Sequence, residues 1–94
     1  MVRAPEQEDA GGVAELVKLA AELDGQAYAV TLMSGHDRPH LHIANRRAPV
    51  LSERVYCEGE WFWWPWAERI ADVTDLAGAV AAVDRVLQLF GGNR

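Results

Sequence analysis

The chain has 94 residues, half of them apolar and 24% charged, and carries a net charge of −5. This length and composition predict one folded domain, since domains commonly run to about 100–150 residues and disordered chains are far less apolar. The acidity argues against duplex DNA or an anionic membrane as partner, because phosphate binding wants clustered Lys and Arg.

Cys57 is the single cysteine. An intramolecular disulfide and a multi-cysteine zinc cluster are therefore excluded, and a reducing cytoplasm is the expected location. Met1 to Asp9 holds one basic residue before Glu6, Glu8 and Asp9 and no apolar run, which does not read as a secretory signal. No stretch approaches the ~20 apolar residues of a membrane span.

Residues 1–8 read as a frayed tail. A helix is predicted from about Asp9 to Leu23, because Val13, Leu16, Val17, Ala20 and Leu23 recur at the spacing of one buried face. Gly11-Gly12 weaken its first turn, so a start near Val13 is an alternative. Gly25 is the expected left-handed C-cap. A first strand follows over Ala27 to Met33, with Tyr28, Val30 and Leu32 alternating against Ala27, Ala29 and Thr31. The turn Ser34-Gly35-His36-Asp37-Arg38-Pro39 leads to a second strand, His40 to Ala44. Leu41 and Ile43 take one face of it, His40 and His42 the other.

Asn45 to Leu51, with Pro49, reads as a loop, and Glu53 to Cys57 as a third strand. Glu58-Gly59-Glu60 is a hairpin turn into Trp61-Phe62-Trp63-Trp64-Pro65-Trp66, which places all four tryptophans of the chain within six positions. In a strand, Trp61 and Trp63 point one way and Phe62 and Trp64 the other. One face suits the core; the other wants a second chain, a ligand or a helix. Whether the turn counts two or three residues decides which tryptophans share a face with Tyr56, because a one-residue slip flips every side chain. Pro65 argues for an edge or a bulge, with the strand resuming through Trp66 to Ile70.

A second helix is predicted from about Asp75 to Phe90. Its stripe is Leu76, Val80, Val83, Val86 or Leu87, and Phe90, with Thr74 as N-cap and Gly91-Gly92 as the stop. The order α-β-β-β-β-α predicts an α+β domain: a four-stranded antiparallel meander with two helices packed on one face. The opposite face would carry Ala27, Ala29, Thr31, His40, His42 and one tryptophan pair. Such a surface suits a symmetric dimer in which sheets or their edges meet.

The candidate chemistry is sparse. His40 and His42 share a strand face and could share a divalent metal with His36 and Asp37 from the adjoining turn. Without a further Glu or Cys at characteristic spacing the metal signal is weak, and a wet strand face explains the two histidines more simply. Cys57 has no neighbouring base and reads as a small buried hydrophobe. Glu58, Glu60 and Glu68 read as solvated turn residues, and no phosphate-binding glycine loop or G-x-S-x-G element is present. Tyr56, Trp61, Trp63, Trp64 and Trp66 are thus the candidate partner- or ligand-binding residues. Exposed tryptophans also stack on nucleobases, with Arg46, Arg47, Arg54 and Arg69 available, but the acidic balance disfavours that use.

Trp61 to Ile70 with the Asp75-led, alanine-rich helix resembles a set of small actinobacterial proteins of unknown function. Shared features are the Val55-Tyr56 strand and a terminal helix ending in Val86-Leu87, and the resemblance spans about Leu16 to Phe90. It implies no activity and transfers no site residues. The expected function is a small non-enzymatic accessory or regulatory protein. It would act by protein–protein interaction, as a homodimer through the tryptophan-rich sheet, and need no cofactor. A metal- or small-ligand-binding enzyme at His36, His40 and His42 is the alternative, and a single-stranded nucleic-acid binder the third.

Overall fold

Alternating apolar segments separated by tight turns can pair only with their chain neighbours, and they do so throughout. A computed structural model describes residues 12–34 and 38–88. These form α1 (Val13–Glu22), β1 (Tyr28–Met33), β2 (His40–Asn45), β3 (Ala48–Glu58), β4 (Trp61–Trp63), β5 (Arg69–Asp72) and α2 (Leu76–Leu87). The five strands make one antiparallel sheet in the order β1-β2-β3-β4-β5. The class is α+β, as the sequence predicts, but five strands form where four were expected.

The extra strand comes from a chain reversal at Pro65. Ala67 N–H donates to the Trp64 carbonyl at 3.0 Å and Trp64 N–H to the Glu68 carbonyl at 2.9 Å. Pro65 thus takes the second position of a tight turn, where its fixed φ is favoured and its missing N–H costs nothing. Ala67 sits at φ 66°, a left-handed conformation that helps bring the chain back. A proline read as an interruption of one strand is the hinge between two.

The Asn45–Leu51 segment is likewise shorter as a loop than expected. Only Arg46 and Arg47 turn, and β3 begins at Ala48. Pro49 is tolerated because the register of β2 and β3 shifts there, Ala44 pairing with Ser52 but Asn45 with Ala48; a bulge excuses a missing ladder donor. Asn45 is 5% exposed and both ends of its amide are engaged. Its oxygen accepts from Arg47 N–H at 2.8 Å and Ala48 N–H at 3.2 Å, and its nitrogen donates to the Leu87 carbonyl at 2.7 Å. One side chain therefore shapes the β2–β3 turn and ties the end of α2 to it.

Residues of both helices join one strand parity in a single buried cluster. Leu16, Leu19 and Leu23 meet Ala79, Ala82, Val83 and Leu87, with Tyr28, Leu41, Ile43, Val55, Cys57, Phe62 and Ala71 from the sheet. In α1, Leu19 faces this core and Val17, expected there, is 49% exposed. The helix starts at Val13 after Gly12, whose φ is 74°. A Cβ at Gly12 would lie 2.5 Å from Cys57 Cβ and Sγ, so no side chain fits between helix and sheet. Gly25 is not the C-cap: Leu23 ends the helix in an extended conformation. Asp24 then makes the reversal, accepting from Gln26 N–H on its carboxylate and from Ala27 and Tyr28 N–H on its carbonyl.

In α2, Asp75 rather than Thr74 is the N-cap, accepting from Gly78 N–H at 2.9 Å. Thr74 is occupied elsewhere: its hydroxyl and N–H both donate to Asp72, holding that carboxyl below its ordinary range. Leu87, not Val86, completes the buried stripe. The expected extension to Phe90 and Gly91-Gly92, like the tail at 1–8, lies outside the described residues. Among the described residues, no helix is long and apolar enough to cross a membrane.

Tyr28 links the two ends of the fold. Its hydroxyl donates to Asp84 of α2 at 2.5 Å and accepts from Gln88 at 2.9 Å. Burial, then the Asp84 carboxylate, pushes the phenol well above its ordinary value. Ionisation is thus harder in the folded chain. The contribution is complete below the ordinary tyrosine pKa of about 10 and is lost as pH rises above it. The denaturation midpoint should fall between about pH 10 and 12, and Tyr28→Phe should flatten that fall. Asn45→Ala should lower stability by about 2–4 kcal/mol in urea titration, because it strands two turn amides and a helix carbonyl.

Candidate binding face

The β3–β4 turn decides which aromatics face which way. Gly59, at φ 66°, opens a two-residue loop, as hairpins with glycine at the first central position require. Tyr56 then pairs with Trp63, Cys57 with Phe62 and Glu58 with Trp61. Phe62 is fully buried beside Cys57, whereas Trp61 and Trp63 lie on the outer side with Tyr56. Trp64, two residues beyond Phe62, keeps the same parity and enters the core at 5% exposure; the bulge lies on β5, where Ile70 is skipped and Arg69 comes opposite Trp63.

Of the five expected binding residues, three are thus brought together on the outer face: Tyr56, Trp61 and Trp63. Trp64 belongs to the core, although its edge still lines the groove beside Trp63. Trp66 stands at the tip of the β4–β5 turn, half exposed, stacked on Trp64 with ring centroids 5.1 Å apart and planes within 8°. Its indole N–H donates to Glu68 at 2.7 Å, and that of Trp63 to the Glu58 carbonyl at 3.2 Å.

The outer face is not bare. The Arg38 guanidinium lies 4.7 Å from the Tyr56 ring centre and that of Arg69 lies 4.3 Å from Trp61. These are cation–π distances, at which an exposed pair contributes about 0.5–1 kcal/mol. Arg54 pairs across the ladder with His42 on the same side. A groove of about 590 Å³ runs between Arg38, Arg54, Tyr56, Trp63, Trp64 and Pro65. Glu58 reaches Arg38 at 3.5 Å, an exposed pair that leaves the guanidinium accessible. Arg46 takes no part here; it donates to the Gly25 carbonyl at 2.7 Å.

Sequence reasoning names Arg54 and Arg69 beside an aromatic surface but misses Arg38 and the ring each arginine would meet; two of the three had a positional signal. Arg54 precedes Tyr56 by two residues and Arg38 precedes His40 by two, so extended chain puts each pair on one side. Arg69 had none, since its place depends on a fifth strand and a bulge.

The histidines do not converge. His40 is buried on the outer side, its ring 5.2 Å from Tyr56 and its Nδ1–H donating to the Arg38 carbonyl at 3.0 Å. His42 is exposed opposite Arg54. His36 lies outside the described residues. Among the described residues no group of three or more His, Cys, Asp or Glu side chains is placed to hold a metal. Cys57 points inward from β3 while His40 and His42 point outward, so the sheet separates the thiol from both imidazoles.

Comparison with protein-family models, curated proteins and solved structures finds no match to this chain. The site is therefore read from its own geometry.

The two tryptophan classes should part on mutation. Trp64→Ala should cost about 3–5 kcal/mol, the loss typical of truncating a buried aromatic, and leave the domain nearly unfolded by circular dichroism. Trp61→Ala and Trp63→Ala should remain folded, with melting temperatures lowered far less.

Proposed function

We propose that this chain is a non-catalytic binding module, an accessory or regulatory protein that recognises an acidic segment of a partner protein on its outer sheet face. Both helices are taken to cover the inner face, which leaves the outer one open. The observation that carries the reading is the set of arginines over and between the aromatics there: Arg38 on Tyr56, Arg69 on Trp61 and Arg54 beside the groove. Glu58 lines the same groove and Asp72 stands opposite Trp61, so three guanidiniums meet two carboxylates there, a small cationic excess on a chain of net charge −5.

Guanidiniums flanking flat rings suit a ligand that offers carboxylates and an apolar or planar group together. Carboxylates gain bidentate bonds from arginine, and the rings supply contact area with little conformational entropy to lose. Two copies meeting face to face would oppose the same arginines, which disfavours this face as its own partner. A cytoplasmic setting suits the single buried thiol.

Binding can be followed through tryptophan emission with an acidic Glu/Tyr copolymer peptide, a Lys/Tyr peptide and a single-stranded oligo(dT) as probes. The acidic peptide should bind, more weakly as salt rises. Arg54→Glu and Trp63→Ala should each reduce affinity at least tenfold while the fold persists. Tighter binding of oligo(dT) than of the acidic peptide would instead place single-stranded nucleic acid on this face.

A further inference from the structure

The two edges of the sheet are unlike, and the difference points to a second copy of the chain. An open strand edge is a template for pairing, and monomeric proteins guard it with charge, proline, bulges or short length. The β5 edge has such guards: four residues, Arg69 and Asp72 at its ends, and a register shift against β4. Among the described residues, the β1 edge has none. Tyr28-Ala29-Val30-Thr31-Leu32-Met33 contains no charge and no proline, and pairs with β2 over six unbroken positions. Its far end exposes Leu32 and Met33 at 37% and 45%.

The backbone phase of this edge follows from one bond. Arg46 N–H donates to the Ala27 carbonyl at 2.9 Å. In an antiparallel ladder the residues whose amides face the neighbour alternate, so Ala29, Thr31 and Met33 face β2. Tyr28, Val30 and Leu32 direct their N–H and C=O to the open side. Tyr28 agrees, its N–H going to the Asp24 carbonyl and not to β2. Val30 and Leu32 are left with a donor and an acceptor each.

We infer that β1 is a self-association edge: two copies pair β1 with β1, antiparallel, about a two-fold axis through Thr31. Side-chain parity allows the axis to pass only through a residue, since residues opposite each other must share a face. An axis through Thr31 sets Val30 opposite Leu32 of the second copy. Each such pair exchanges two backbone hydrogen bonds, and symmetry makes two such pairs. Leu32 is covered by Val30 and Met33 by Ala29, a large residue beside a smaller one in both cases. Thr31 meets its equivalent on the axis, a favourable cross-strand pair. An axis through Val30 would instead bring Tyr28, whose amide is already committed to Asp24, opposite Leu32. The two sheets become one of ten strands, and its two aromatic–arginine faces lie on the same side. This assembly stands independently of what that face binds.

Light scattering of the intact chain should give twice the monomer mass of 10.4 kDa. Thr31→Lys, which puts two ammonium groups together on the axis but points to solvent in a single copy, should give monomer with an unchanged circular dichroism spectrum. Val50→Lys, at an exposed site away from the edge, should leave the dimer intact. Amide exchange supplies a readout that needs no variant. Val30 and Leu32 should be protected at high protein concentration and exchange faster on dilution, while Ala29 and Thr31 stay protected throughout. A monomer at several hundred micromolar, or a dimer whose Val30 and Leu32 amides exchange freely at every concentration, would overturn the inference. The exchange pattern decides the matter even if Thr31→Lys fails to fold.

Discussion

The two-residue turn at Gly59-Glu60 governs the rest of the molecule, because it sets the parity of the most aromatic segment in the chain. A strand has two faces and a period of two. One more residue in that turn would send Trp61 and Trp63 into the core and push Phe62 outward beside Tyr56. The core would have to accept two indoles where it now holds one phenyl ring, and Cys57 would lose its partner across the ladder. Glycine at φ 66° is what makes the short turn available. Unbroken alternation then keeps Trp63 outside and returns Trp64 to the interior, while the bulge at Ile70 on β5 brings Arg69 opposite Trp63.

That arrangement leaves an energetic problem on the outer face, which the arginines address. Indole and phenol rings on an open sheet retain apolar area in water, and a large bare patch would invite indiscriminate association. A guanidinium stacked on a ring covers it with a weakly hydrated planar cation and keeps the surface soluble. The cover is also removable. An incoming carboxylate can engage the guanidinium while an apolar group meets the ring. On the proposed reading, the same contacts would serve solubility in the free state and recognition in the bound state. Arg38 shows the balance most directly, held between the Tyr56 ring and the Glu58 carboxylate.

Much of this was legible in the sequence, and the failures have specific causes. The strand faces of Leu41 and Ile43 against His42 followed from alternation, and the helix positions from period and punctuation. The fifth strand did not, because Pro65 was read as a flaw in a strand when its fixed φ made it a turn former. Val17 was preferred to Leu19 in α1 because both satisfy a helical period, and only the direction of approach of the sheet chooses between them. Gly25 and Thr74 are reasonable caps displaced by neighbours: Leu23 ends α1 in an extended conformation, and the Asp75 carboxylate reaches the Gly78 amide directly. The aromatic segment stands out in the sequence as the candidate site, with Arg54 and Arg69 available to it. Arg38, and the ring each arginine covers, do not, because cation–π pairs across strands depend on register, which single-residue turn lengths control.

The sheet's two boundaries bear on how such a face would be used. Strand pairing about an axis perpendicular to the sheet preserves which side is which, so a β1-paired dimer displays both outer faces together. Two sites held rigidly on one surface would raise the effective concentration of the second once the first is occupied, provided the partner spans the distance. Each single groove is small, and its exposed charge pairs contribute little individually. A module of this size gains useful affinity more readily by repeating a modest site than by enlarging it. On the proposed reading, the unguarded edge would order copies of the chain, and the half-covered aromatic face would give each copy something to hold.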